Sequence, residues 1–156
     1  MYNTLLTLSR NIYFYKNTDL VDSFETRIYL MFLHFSIFLI IFKKKGKKFD
    51  QKDYDSLFLS IENNLRELGF GDVSVNKKMK DLNKILYDIL LKVRNDNKDE
   101  FNINKKLIFK YFKSLDMKND SKYNAFESYF LKFYEYCYNL PLDNIVKNSI
   151  NFKINN

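Results

Sequence analysis

Apolar residues recur along this chain at intervals of three and four, the spacing of one helix face rather than the alternation of a strand. The clearest stripe is Val75, Met79, Leu82, Leu86, Ile89 and Val93, which steps by four, three, four, three and four, so one side of that helix faces a core. Before it, Tyr54, Leu57, Phe58, Ile61, Leu65 and Leu68 form a second stripe. Asp50 is its expected N-cap, Asp53 lies in its first turn, Phe49 and Tyr54 are placed as a hydrophobic staple, and Gly69 supplies the stop. Two further helices are expected over Lys105 to Leu115 and Ser121 to Leu140, the latter ended by Pro141. Met1 to Lys16 reads as a short amphipathic helix and Asn95 to Glu100 as a polar surface connection. The tail from Leu142 mixes Ile145, Val146 and Ile150 with asparagines, a pattern that fits docking and fraying equally.

One segment breaks the amphipathic rule. From Ile28 to Phe42 there is no charge, and only His34 and Ser36 interrupt an apolar surface on every side. Asp22, with Glu25 three residues on, reads as a capping-box variant at its start. At 1.5 Å per residue the uncharged stretch spans about 22 Å, short of a hydrocarbon core of roughly 30 Å. The expectation is therefore a central buried helix rather than a membrane span. The fold class that follows is all-α: a single-domain helical bundle of about five to six helices, without repeats, over residues 1–156.

Composition changes the picture in three places. The net charge of +7 points to nucleic acid, a phospholipid surface or an acidic protein as partner. Yet the cations are 22 Lys against 4 Arg amid many Asn, Ile, Tyr and Phe, which is also how an AT-rich genome biases its proteins. Five of the lysines, Lys43, Lys44, Lys45, Lys47 and Lys48, crowd around Gly46 after the apolar helix, and read as a loop able to touch an anionic membrane. Cys137 is alone, which fits a reducing compartment and a small buried hydrophobe.

Catalytic chemistry is hard to build from these residues. His34 is the sole histidine, so histidine metal clusters are excluded and any triad would depend on that ring. It reads as a packed core histidine, with a polar client contact or a haem-proximal role as alternatives. Gly69-Phe70-Gly71 follows a helix and lacks the rest of a phosphate loop, and the acid pairs Asp53 with Asp55 and Glu62 with Glu67 read as solvated helix face. Neither an enzyme nor a cofactor is expected.

The run from Leu65 to Lys80 carries more information. It holds an Arg66-Glu67 pair, the Gly69-Phe70-Gly71-Asp72 turn, and Lys78-Met79-Lys80 at the start of the next helix. In that order these resemble the most recognisable stretch of the ubiquinol–cytochrome c chaperone family. Upstream, Tyr2 to Arg10, Phe14-Tyr15-Lys16, Val21-Asp22 followed by Arg27, and Leu33-His34 are similar to the family as well, so the resemblance covers residues 2–94. It departs after Tyr87, where the family has Gly-Arg and this chain has Asp88-Ile89.

The resemblance implies an all-α chaperone that assists cytochrome b or an assembly intermediate of complex III. Arg27, His34, Arg66, Glu67, Gly69, Gly71, Asp72, Lys77, Lys78 and Met79 are then the candidate client-binding or motif residues. A second chaperone subunit is a further expected partner. Because the match starts at Tyr2, with no room for an import presequence, the expected location is a bacterial cytoplasm or the inner face of its membrane. A basic RNA- or ribosome-binding module and a peripheral membrane adaptor are the competing readings.

The corner also has a physical reading of its own. Gly69 can take a left-handed C-cap and Gly71 a second positive φ, while Asp72 can pair with Arg66 across the turn. Lys77, Lys78 and Lys80 oppose the helix macrodipole at about 0.3–1 kcal/mol each, and in return make a seat for an anion.

Overall fold

The computed structural model describes residues 1–95, 98, 100–115 and 120–154. Its apolar segment forms a helix longer than the uncharged stretch: α3 runs Phe24–Lys44 over 21 residues, because Glu25, Arg27, Lys43 and Lys44 are accommodated at its ends. At 1.5 Å per residue this is about 31 Å, enough by length and composition to cross a membrane. Within the fold, however, 67% of its most apolar window is buried.

The helix starts at Ser23, not Asp22. Only the residue directly before the first turn reaches its free amides, and Ser23 Oγ accepts the Thr26 N–H at 3.1 Å. Asp22 instead accepts from Arg27 Nε at 2.7 Å.

Around α3 the chain lays down its other elements in order. The N-terminal segment is two helices, α1 (Tyr2–Ser9) and α2 (Ile12–Lys16), because Asn11 Oδ1 accepts the Tyr13 N–H at 3.0 Å and caps a new turn. α4 (Gln51–Glu67) begins at the expected cap, Asp50, and folds back through a short corner into α5 (Asp72–Val93). Phe49 and Tyr54 both set their rings on Phe35 of α3, at 5.3 and 5.9 Å. After α5 the chain forms a small hairpin, β1 (Arg94–Asn95) antiparallel to β2 (Glu100–Phe101), where a plain surface connection was expected.

α6 (Lys105–Tyr111) is shorter than its apolar pattern, since Phe112 turns out of helical geometry at φ −111°, ψ 72°. α7 (Asp120–Tyr138) then runs to the break at Pro141. The tail docks through 3-10 turns and the four-residue α8 (Ile145–Asn148): Ile145 is fully buried, and the Phe152 ring lies 5.3 Å from both Tyr129 and Phe133.

α3 is the common neighbour of α1, α5, α7 and β2. On the α7 side the packing is almost wholly aromatic. Phe14 sits 4.4 Å from Tyr129 and 5.6 Å from Phe130, and the His34 ring lies 4.8 Å from Phe133 and 4.9 Å from Phe130. Inside this cluster His34 Nδ1 donates to the Leu30 carbonyl at 2.7 Å, and Nε2 accepts from the Tyr129 hydroxyl at 3.2 Å. Both ring nitrogens are used by a neutral imidazole, and complete burial lowers its pKa to about 3.

That shift sets a pH dependence. Below pH 6.5 the unfolded chain protonates His34 while the folded chain does not, so stability falls as pH falls, with a slope approaching about 1.4 kcal/mol per unit. Urea unfolding between pH 6.5 and 5, above the range of the carboxylates, should show this slope in the native sequence and lose it in His34→Gln.

Candidate functional site

Beside the first turns of α3, where the α4–α5 corner also lies, the surface opens into a hollow of about 130 Å³. Phe24 and Tyr29 of α3, Leu65 of α4, and Leu82 and Ile85 of α5 give it an apolar floor, while Glu25, Lys78 and Asp81 stand around it. A second hollow of about 460 Å³ adjoins it between α3 and the end of α6, and the two share Glu25 and Tyr29 as their divide. The Tyr29 ring closes that divide against Tyr111 at 5.2 Å. Glu25 and Asp81 make no hydrogen bond or ion pair among the described residues. Neither stands out as a site residue in the sequence: Glu25 reads as the capping-box partner of Asp22, and Asp81 as part of an ion-pair stripe with Lys84, Asp88 and Lys92. Only Asp88 of the two stripe acids is paired, to Lys92 at 2.6 Å and Lys110 at 2.7 Å.

The corner next to the hollow folds as a hinge with one left-handed residue. Gly69 has φ +92°, its N–H bonds the Arg66 carbonyl at 2.9 Å, and the Phe70 N–H returns to Leu65 at 3.2 Å. Gly71, expected at positive φ, has φ −72° and ψ 164° and is the N-cap of α5. One reversal suffices for the turn, and a helix must then be entered from extended backbone. Asp72 is thereby free to pair with Arg66, whose other nitrogen meets Glu62 at 2.8 Å. Lys78 Nζ lies 4.6 Å from the centre of the Phe70 ring, linking corner to hollow. Met79 packs against the core, whereas Glu67 and Lys77 are exposed. Leu68 and Val73 stand out as apolar and exposed, at 60% and 86%.

The remaining candidates separate. His34 is enclosed in the core and offers no surface to a client. Arg27 is taken up by Asp22 at the foot of α3. The five lysines do not form one loop: Lys43 and Lys44 are in α3, and Lys45 is its C-cap. Lys44 Nζ meets Glu100 at 2.9 Å, and Lys45 Nζ donates to the carbonyls of Tyr138 and Leu140 at 2.6 and 3.1 Å, closing the end of α7. Lys47 and Lys48 are exposed. Cys137 is fully buried and its thiol pKa is pushed up by that burial. Among the described residues no group of three or more His, Cys, Asp or Glu is placed to hold a metal ion.

Residues 16–99, more than half the chain, match the family model described as ubiquinol-cytochrome C chaperone. The chain belongs to the ubiquinol-cytochrome C chaperone family. No curated protein and no solved structure matches it. Membership supports a chaperone role in the assembly of complex III and suggests a protein without catalysis. The matched stretch contains α3, α4 and α5, and with them every residue of the first hollow and of the glycine corner. α1 and α6 to α8 lie outside it.

Two substitution pairs test this geometry. Gly69→Ala should cost about 1–2 kcal/mol through its left-handed backbone, whereas Gly71→Ser, with open space at its Cβ, should stabilise by roughly a few tenths of a kcal/mol as a better cap. Chemical denaturation distinguishes the signs. By the same measurement Lys45→Met, which strands two carbonyls, should cost about 1–2 kcal/mol, and Lys47→Met close to nothing.

Proposed function

We propose that this chain is a non-catalytic chaperone for cytochrome b, and that it holds an apolar segment of that client during complex III assembly. The observation that carries the reading is the open hollow between α3, α4 and α5, built within the family-matched residues. A protein that hands a client onward needs apolar surface its own chain does not close, and Leu68, Phe70 and Val73 extend such surface from the hollow onto the corner. Arg66, Glu67, Gly69, Gly71 and Asp72 serve by holding that corner in shape, and Lys78 by flanking the hollow.

The client is a membrane protein, so the work takes place beside a bilayer. Lys47 and Lys48 support only a weak surface attachment, at about 1 kcal/mol each near an anionic leaflet.

Deleting the gene should reduce the cytochrome b absorbance spectrum and the complex III band on native gels. Complementation by the native sequence should restore both, and complementation by Ile85→Glu, which places a charge in the hollow, should not. Normal complex III in the deletion strain would defeat the proposal.

A further inference from the structure

We propose that Glu25 and Asp81 form an anionic rim that selects client segments whose apolar run ends in lysine or arginine. This rests on the chaperone reading above and adds what the hollow discriminates.

The chain carries a net charge of +7, yet several of its carboxylates, Asp53, Glu67 and Asp143 among them, meet no cation among the described residues; Glu25 and Asp81 differ from these in bordering one hollow. Asp19, Asp22, Glu62, Asp72, Asp88, Glu100 and Asp120 each meet a lysine or arginine within the fold. Asp81 has Lys77, Lys78 and Lys84 three or four residues away along α5, the spacing at which helical ion pairs form, yet pairs with none. The nearest of them at the hollow, Lys78, directs its ammonium over the Phe70 ring. Glu25 sits in the first turn of α3, where the helix N-terminus tolerates an unpaired negative charge. On its other side the second hollow presents Lys110, already held by Asp88, and Lys113. The two free carboxylates therefore border one apolar floor, from two different helices.

An apolar floor with an acidic rim complements an apolar helix end followed by cations. That is the chemistry of a membrane helix at its cytoplasmic boundary, where lysine and arginine accumulate. The floor takes the last apolar side chains and the rim takes the charges, so the site reads the end of such a helix rather than its middle. Exposed pairs of this kind are each worth roughly a two- to fivefold change in affinity and weaken with salt.

The test uses the full chain and three fluorescein-labelled peptides, each a ten-residue Leu/Ala run ending in Lys-Arg-Lys, Ser-Ser-Ser or Glu-Glu-Glu. Anisotropy titrations should show the basic peptide binding roughly five- to twentyfold more tightly than the serine peptide, with the gap shrinking at high salt. In Glu25→Gln/Asp81→Asn that gap should close while the serine peptide binds as before, and thermal melts should show an unchanged fold. Tighter binding of the acidic peptide, which the net charge alone would produce, overturns the rim. So does a basic preference that survives the double substitution. Failure of all three peptides to bind overturns the chaperone reading and the rim with it.

Discussion

A helix that is apolar on every side cannot leave a face in water, and α3 imposes that condition on the rest of this molecule. At about 25 cal/mol per Å² of apolar surface, exposing even one of its phenylalanines would cost on the order of 2 kcal/mol, a large part of a domain's net stability. Each neighbour is an answer to that demand. α1 lies across one side, α5 against another, and α7 brings Phe126, Tyr129, Phe130 and Phe133 to a third, with Phe14 of α2 wedged between. The hollow beside Phe24 and Tyr29 marks where this coverage stops, at the helix end whose residues are only half-buried.

How far the sequence can be read follows from how local the controlling physics is. The α4 and α5 stripes, the Asp50 cap and the stop at Gly69 each depend on a few adjacent residues, and they were legible. So was the pairing of Arg66 with Asp72, because the corner between them is short. The Ser23 cap was misread by one position, since neighbouring polar residues compete for the same backbone amides, and Gly71 was misread in its φ, since one reversal at Gly69 suffices. The β1–β2 pairing is only two residues a side, too short to leave a period in the sequence, and the docked tail depends on partners far along the chain. Lys44 and Lys45 show the same limit: a lysine cluster looks solvated until Glu100 and the carbonyl end of α7 arrive beside it. Glu25 and Asp81 gain interest only once three helices enclose the space between them.

Asp88 of α5 receives Lys92 from its own helix, and receives Lys110 and the Tyr111 hydroxyl from α6. Burial alone would raise its pKa, but these hydrogen bonds outweigh it and hold the carboxyl well below the usual range. The matched region is thus tied through Asp88 to α6, which lies beyond residue 99.

The bond between His34 and Tyr129 joins residues 95 apart in sequence inside an interface made of phenyl rings. Rings are nearly interchangeable, so sliding α7 by one turn along α3, about 5.4 Å, would swap one phenylalanine contact for another at little loss. The same slide would leave an imidazole nitrogen and a phenol hydroxyl buried without partners, at about 1–3 kcal/mol each. Oil supplies the adhesion between the two helices, and a polar contact buried within it sets their phase.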